Sequence, residues 1–387
     1  MRPQFKALLT LRYAVISGAP DAAARGNTGI IRALSAQQRQ RAAQSCFFQS
    51  EPEEISEVKR IDTHSHVIPE TIIDAMRAGP DLYKTKIGGT RGNYTFTRGK
   101  VTFDLIMEFY DADAKVESMD RKGLDISYIS PGPQTFFYGL GLDDALKTAR
   151  LVNDGVAKMV AARPDRLRGM ATLPMQHPEA AITELERVVK EYGFKAVEMG
   201  TAIGEEELAE DKFRPVLRRL QELKSVVFAH PNTQGAGGRL DCWYLTNLIG
   251  NPLDTTIMVG KLMFSGALDE LKDLKILLAH GGGFLPYQIG RFEHGHVVRP
   301  DTAAITKSKP LDMFKNFYFD ALTHSPQATR HLLEMVGSER VVLGTDSPFD
   351  MGEEHPVQHM EKVPRLTAKE LDDVSYRTAS RLFGEKF

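Results

Sequence analysis

Imidazole and carboxylate side chains recur at the ends of apolar segments in this chain of 387 residues. The first such segment ends in His64-Ser65-His66. Side chains two residues apart on a β-strand point to the same face, so both imidazoles can reach one point beyond the strand. Two ligands of a single metal ion need this placement. Two polar residues on the wet face of a strand would give the same pattern, so the other segments have to decide.

Three later segments end in side chains of the same kind. A histidine ends 226–230 and 276–280, and an aspartate ends 341–346. A lone histidine or aspartate at such a position is most simply a strand-terminating polar residue. Several imidazoles and a carboxylate that converge from four segments instead favour a metal centre. Such ligands suit Zn²⁺, and also Mn²⁺ or Fe²⁺.

The elements that must position these groups alternate along the chain. Apolar, β-branched runs alternate with longer helical patterns from Lys59 onward, which predicts a parallel sheet covered by helices. Eight such units predict a closed (β/α)8 TIM barrel, with its active site at the carboxyl ends of the strands. An open doubly wound sheet is the alternative, but it calls for an early Gly-x-Gly-x-x-Gly turn, which the sequence lacks. The predicted strands are 60–67, 126–131, 167–173, 196–200, 226–230, 276–280, 317–321 and 341–346.

Two long insertions interrupt the alternation, after the first and the fifth predicted strands. The first runs from 68 to about 113, and the second runs from 231 to about 260 and contains the only tryptophan, Trp243. Loops of this length at the catalytic end of a barrel are more often lids or binding loops than accidents. Trp243 and Phe284 are candidates for the apolar wall of a pocket that takes a flat, conjugated substrate.

The first 57 residues differ from the rest of the chain, because arginines and lysines dominate until Glu51. An Arg-rich, acid-poor leader is typical of an organelle transit peptide, but a disordered extension explains it as well. We expect residues 1–57 to carry no chemistry and residues 58–387 to form the barrel domain.

Composition excludes several classes of function. A net charge of −2 offers no broad basic surface for nucleic acid. No apolar run approaches the roughly 18–20 residues that a membrane helix needs. The cysteines, Cys46 and Cys242, fit neither a disulfide framework nor a metal-binding spacing, which favours a reducing compartment such as the cytoplasm.

The polar strand ends carry a resemblance to a known family. Together they resemble the amidohydrolase superfamily, and the segments 279–283, 290–291 and 344–349 look like its amidohydrolase-related decarboxylases. Aminocarboxymuconate-semialdehyde decarboxylase is the type member of that branch, which also includes resorcylate and carboxyvanillate decarboxylases. The resemblance covers residues 60 to 383. It implies one divalent metal ion, most commonly Zn²⁺, bound by His64, His66, His230 and Asp346.

The resemblance also assigns the groups beside the metal. His280 would be the general acid/base, and Asp346 could deliver a proton to the substrate carbon. Other branches of the superfamily bridge two metal ions with a carboxylated lysine at the end of strand four. Here Lys195 stands at the beginning of that strand, so a mononuclear site is favoured. Glu198, nearer the end, could be a further metal or substrate ligand or a satisfied carboxylate inside the barrel.

Two arginines are implied as substrate ligands. Arg291 matches an arginine that in the type member enters the neighbouring subunit's site and pairs with a substrate carboxylate, which implies a homodimer. The second falls in the first insertion, where Arg98 is the nearest candidate and Arg91 competes. A guanidinium suits this role because its planar fork makes two parallel charge-assisted hydrogen bonds with a carboxylate.

The activity implied is a metal-dependent decarboxylation that releases CO₂ from an unsaturated or aromatic carboxylic acid. The alternative is a hydrolase or hydratase on the same barrel that acts on a lactone, ester, amide or C=C bond. The Gly-rich turn after His280 could hold an oxyanion for such a reaction. A divalent metal supports both reactions because it acidifies water, and a nearby histidine can move the proton.

Overall fold

Eight parallel strands form one sheet in the computed structural model, which describes residues 59–232 and 237–387. The sheet closes on itself, because the Thr63 N–H donates to the Leu343 carbonyl (2.9 Å) and the His66 N–H donates to the Ser347 carbonyl (2.7 Å). The predicted (β/α)8 barrel is therefore confirmed, and the predicted extension, residues 1–57, lies outside the described residues. The barrel strands are β1 Ile61–Val67, β2 Ile126–Pro131, β3 Leu167–Ala171, β4 Ala196–Gly200, β5 Val226–His230, β6 Ile276–Leu278, β7 Phe317–Asp320 and β8 Val341–Val342.

Helices cover the outside of the sheet. The helix over residues 178–192 illustrates why they form: Pro178 occupies its first turn, Leu185 and Val188 are buried on one face, and Gly193 ends it with φ +67°. No helix of the described ranges is long and apolar enough to cross a membrane. The helices are α1 Glu70–Ala78, α2 Pro80–Tyr83, α3 Ala112–Lys122, α4 Leu142–Ala162, α5 Pro178–Tyr192, α6 Arg214–Glu222, α7 Asn251–Phe264, α8 Ala267–Glu270, α9 Leu285–Val298, α10 Pro310–Met313, α11 Pro326–Val336, α12 Pro356–Glu361, α13 Ala368–Asp372 and α14 Thr378–Phe383.

Alternation along the strands separates two apolar layers. On β4, Val197 and Met199 pack in the large cluster between the sheet and the helices. Ala196 belongs to the smaller cluster inside the barrel, together with Phe228 of β5. Because side chains alternate, the next inward position on β4 is Glu198, and the next on β5 is His230. Polar groups therefore begin where the apolar interior ends, at the carboxyl end of the barrel.

The first insertion is a folded element rather than an irregular loop. It contains α1, α2 and an antiparallel sheet formed by Lys86–Gly88, Tyr94–Arg98 and Val101–Leu105. Its apolar side chains form a cluster of their own, which includes Ile72 and Phe96. This cluster holds the hairpin between Arg98 and Val101 in a defined position beside the barrel mouth.

The second insertion and several strand ends differ from the sequence prediction. A loop to about 260 and a helix over 262–268 are predicted, but α7 begins at Asn251. Its first turns carry Asn, Asp and Thr, which favour turns in isolation, whereas Pro252 and the burial of this segment favour the helix here. The third, sixth, seventh and eighth strands end earlier than predicted. Beyond the ends of β6 and β8 the backbone becomes left-handed at His280 (φ 56°) and Asp346 (φ 58°), so neither residue can belong to its strand.

Candidate metal centre

The carboxyl ends of β1 and β5 and the segment after β8 bring together the predicted metal ligands. The Nε2 atoms of His64 and His66 lie 3.0 Å apart. The Oδ1 atom of Asp346 lies 3.1 Å from His66 Nε2 and 3.4 Å from His64 Nε2. His230 completes the group, and atoms of His64, His230, His280 and Asp346 all lie within 4.8 Å of one another. The predicted ligands His64, His66, His230 and Asp346 are all buried.

The donor atoms fit a metal ion in both chemistry and spacing. Each of three imidazoles has an oxygen beside its Nδ1 atom: Asp320 at 2.6 Å for His64, Ser130 at 3.2 Å for His66, and the Pro231 carbonyl at 2.8 Å for His230. With the proton on Nδ1, each Nε2 presents a lone pair to the site, and two facing lone pairs are unfavourable without a cation. Ligands with metal bonds of about 2.1 Å lie roughly 3.0–3.4 Å apart, which is the spacing seen here.

A bulge in β1 aims the two histidines. The pairing of β1 with β2 shifts register between Asp62 and Ser65, which places both imidazoles inside the barrel. The buried Asp62 side chain holds this irregular segment, since it accepts hydrogen bonds from the His64 N–H (3.1 Å) and the Thr345 hydroxyl (2.8 Å). Burial raises the pKa of Asp62, against the opposing effect of these hydrogen bonds.

Close packing at Gly344 fixes the positions of His64 and Asp320. A Cβ atom on Gly344 would lie 2.8 Å from the His64 Cβ and 2.9 Å from the Asp320 Cβ, so only glycine fits there. Phe228 forms the floor, with its ring centroid 4.9 Å from that of His64. The sequence predictions did not include Phe228, because a phenylalanine in an apolar strand gives no signal of its own.

The charges of the site are strongly coupled. Burial opposes the charged form of His64, but Asp346 and Asp320 outweigh it and raise the pKa of His64 to about 10. The pKa of His230 lies well below its ordinary value, first because of burial and then because of neighbouring imidazoles such as His66. Burial opposes ionisation of Asp346, yet the histidines hold the pKa of Asp346 well below its usual range. The centre thus holds an ionised Asp346 that faces an unprotonated His230 and a His64 whose proton a metal ion would displace.

Asp320 is the functional residue that the sequence predictions missed. It lies inside the barrel at the end of β7 and accepts hydrogen bonds from His64 Nδ1 (2.6 Å), the His280 N–H (2.9 Å) and the Gly281 N–H (2.7 Å). It therefore orients one predicted ligand and the turn that carries His280. An aspartate that ends the apolar run Phe317–Asp320 was the available signal.

His280 stands beside the ligands rather than among the most buried groups. Its side chain is 18% exposed, and its Nε2 atom lies 3.5 Å from Asp346 Oδ2. Its Nδ1 atom is buried and makes no hydrogen bond within the described residues. This position suits the predicted general acid/base, which stays a prediction.

Two cavities meet at His280. One, of about 360 Å³, is lined by polar groups that include Arg98, His230 and Asp346. The other, of about 430 Å³, is more apolar and is lined by residues such as Leu322 and Leu332. A bound molecule could therefore lie across His280, with a polar end near Arg98.

The structure distinguishes the two arginines of the first insertion. Arg98 lines the polar cavity, its Nε donates to Thr85 Oγ1 (2.8 Å), and its buried Nη2 has no hydrogen-bond partner among the described residues. Burial lowers the pKa of Arg98 to about 10, so it remains a cation at neutral pH. Arg91 instead pairs on the surface with Glu70 (2.8 Å) and Asp111 (2.7 Å).

The remaining predicted substrate contacts lie away from these cavities. Trp243 is 84% exposed, Phe284 is partly exposed, and Arg291 is exposed on α9. Neither cavity is lined by any of them. Lys195 is exposed before β4, so it cannot bridge metal ions inside the barrel.

A barrel with three imidazoles and a carboxylate at its mouth defines a metal-dependent barrel enzyme. The amidohydrolase family model matches residues 61–384. The chain therefore belongs to the amidohydrolase family, in the decarboxylase branch that its motifs resemble.

One relative and two solved structures illustrate this similarity. It is 31% identical to the 2-amino-3-carboxymuconate-6-semialdehyde decarboxylase of Dictyostelium discoideum, over 80% of this chain and 87% of the relative. A solved 5-carboxyvanillate decarboxylase from Sphingomonas paucimobilis superposes with a TM-score of 0.75 at 21% identity, over 85% of this chain and all of that one. A dihydroxybenzoic acid decarboxylase from Polaromonas sp., solved with bound manganese, gives a TM-score of 0.69 at 24% identity, over 84% of this chain and 97% of that one.

Proposed function

We propose that this chain is a metal-dependent decarboxylase whose substrate is an unsaturated carboxylic acid with a second, retained carboxylate. The carrying observation is Arg98, a cation with a buried, unpartnered Nη2 atom in the same cavity as His230 and Asp346. Arg98 is partly buried, and within the described residues its guanidinium stacks on the rings of Phe96 and Phe137 but faces no carboxylate, so its charge favours an anionic ligand in this cavity. The similarity to a carboxymuconate-semialdehyde decarboxylase supports the same substrate class.

The retained carboxylate follows from the energetics of decarboxylation. An arginine on the departing carboxylate would stabilise the ground state, in which that group is charged, more than the transition state, in which the charge moves to carbon. An arginine that binds a carboxylate that stays charged throughout lowers both states equally and orients the substrate. We therefore assign Arg98 to the retained carboxylate.

The metal ion would be held by His64, His66, His230 and Asp346. When bound, it would supply the chemistry of a Lewis acid. His280, beside the ligands and reached from both cavities, would move the proton between water and the substrate carbon. Asp346 stays ionised and faces His280 across 3.5 Å, so it would orient that imidazole. The apolar cavity would shield the conjugated part of the substrate from water.

Zn²⁺ is the proposed metal, and Mn²⁺ is supported by the manganese bound in the Polaromonas relative. Imidazoles suit both ions. The exposed position of Lys195 supports a mononuclear site. A cytoplasmic location and a barrel domain over 58–387 remain proposals that rest on the sequence.

A homodimer is proposed with α9 at its interface. Arg291 lies on the same face of α9 as the exposed apolar side chains of Tyr287 (80% exposed) and Val298 (53% exposed). Exposed apolar surface of this kind is typical of protein–protein contacts. In such a dimer Arg291 and Trp243 of one subunit would approach the site of the other, which accounts for their distance from the cavities of their own chain.

A comparison of substrates tests the proposed function. Metal-loaded protein should release CO₂ from carboxymuconate semialdehydes with a second carboxylate and should turn over monocarboxylic benzoates poorly. Arg98→Lys should lower kcat/KM for the dicarboxylate by about 100-fold, mainly through KM, because bidentate binding is lost. Arg91→Lys is the matched control and should change kcat/KM less than twofold.

Two outcomes would contradict the proposal. If lactones or esters are hydrolysed and no acid releases CO₂, the hydrolase alternative is correct. If Arg98→Lys affects mono- and dicarboxylic acids equally, Arg98 does not read the second carboxylate.

A further inference from the structure

Glu198 is a buried carboxylate with no role in the metal binding, substrate binding or proton transfer proposed for this site. It lies on β4, where it pairs with Phe228 of β5, and its side chain faces the barrel interior. It is therefore one layer deeper in the barrel than His230, which is two residues after Phe228 on β5. Its side chain is 0% exposed, and neither of its carboxylate oxygens makes a hydrogen bond within the described residues.

An ionised carboxylate in this position needs a positive charge nearby, because burial without hydrogen bonds is strongly unfavourable. Within the described ranges, the only basic group within 4.0 Å of Glu198 is the imidazole of His66, whose Nδ1 lies 3.5 Å from Oε2. Asp320 provides a contrast, because His64 and two backbone N–H groups at the β6 turn already donate to it. His66 is therefore the nearest basic group to the Glu198 carboxylate within the described residues, and an atom of His230 lies within 4.8 Å.

We infer that Glu198 is a positioning residue that acts through His66 and sets the strength of metal binding. This inference rests on the proposed metal site. The Nδ1–H of His66 would point to Glu198 and Ser130 Oγ, which lies 3.2 Å away. This fixes the tautomer in which His66 Nε2 faces His64 Nε2, and the carboxylate makes the imidazole a better donor toward the ion. Carboxylate–histidine–metal arrangements have this effect in general.

A direct contact between Glu198 and a second ion is the competing arrangement. His66, Glu198 and His230 offer atoms that lie within 4.8 Å of one another. However, His66 Nε2 already faces the first group of ligands, so a second ion would require one imidazole to bridge two metals. The number of ions bound per chain separates the two arrangements.

Metal titration of the full chain tests the inference. Apoprotein prepared with a chelator is titrated with Co²⁺ and with Zn²⁺ against a competing indicator, and the Co²⁺ visible spectrum is recorded. Glu198→Gln should bind one ion per chain, as the wild type does, but about 10–100-fold more weakly. Glu198→Asp should recover part of the affinity, because it restores a carboxylate.

The control is Glu184→Gln, which alters an equally buried carboxylate that Asn153 and Arg187 hold on α5. It should leave metal affinity within twofold of the wild type but lower the Tm of the apoprotein. Glu198→Gln should not lower that Tm, since it removes a carboxylate without hydrogen bonds.

Three results would overturn the inference: unchanged affinity in Glu198→Gln, two ions in the wild type and one in the variant, or an apoprotein Tm that falls together with affinity. If the wild type binds metal tightly but releases no CO₂, the proposed function fails and the role of Glu198 stands. If the wild type binds no metal, both fail.

Discussion

Replacing Lys115 by methionine tests whether a buried ion pair holds the two segments that carry the proposed ligands. Lys115 lies on α3 with its side chain 1% exposed, and it contacts Glu108, which is 9% exposed, at 3.2 Å. Its ammonium also donates to the backbone carbonyls of His66 (3.1 Å) and Ser347 (3.4 Å). One side chain thus ties β1 to the segment that follows β8.

The magnitude follows from what the substitution leaves behind. Methionine fills most of the space but leaves the Glu108 carboxylate buried without its cation. Removal of one partner of a buried ion pair typically costs about 3–5 kcal/mol, and we expect a loss in this range. Lys115→Met with Glu108→Gln should cost about 2 kcal/mol less than the single change, because the uncompensated charge is gone.

Urea unfolding of the metal-free protein, followed by circular dichroism, measures these free energies. Arg121→Met is the matched control on the same helix, since Arg121 is exposed, and it should cost about 0.5 kcal/mol or less. A loss below about 1 kcal/mol for Lys115→Met, or a double variant that is less stable than the single one, would show that the buried ion pair does not hold these segments together.

Three further predictions concern the metal centre. His280→Ala should keep one bound metal ion per chain but lower kcat by at least about 100-fold, and loss of the metal would make His280 a ligand instead. Gly344→Ala should weaken metal binding at least about tenfold, because its Cβ would crowd His64 at 2.8 Å; an unchanged affinity would contradict the packing. Because the pKa of His64 is raised to about 10 without metal, the ring is protonated at pH 7, and metal binding should release a proton. Affinity should therefore rise with pH up to about 10, and calorimetry in two buffers of different ionisation enthalpy should detect the proton, whereas zero release would contradict that assignment.

The barrel and its ligand candidates were predictable because they depend on local rules. Two-residue periodicity places His64 and His66 on one face, and the polar ends of β5 and the later segments mark the catalytic edge. Asp320 could have been found by the same rule, since it too ends an apolar strand. The left-handed backbone at His280 and Asp346 could not be predicted, because such backbone at non-glycine residues depends on tertiary contacts.

Other features required three-dimensional contacts. Lys115 has the sequence signature of an exposed helix residue, and only its buried partners show its role. The choice between Arg98 and Arg91 depends on where a hairpin places one guanidinium in a cavity and the other beside surface carboxylates. Neighbouring positions in one insertion give no local signal for that difference.

The most direct test of the central proposal is CO₂ release by the metal-loaded full chain, measured with a carboxymuconate semialdehyde as the substrate. We expect one CO₂ per substrate consumed, loss of the substrate's ultraviolet absorbance at the same rate, and no turnover after the metal is removed by a chelator. Substrate loss without CO₂, or an equal rate in the chelated protein, would contradict the proposal.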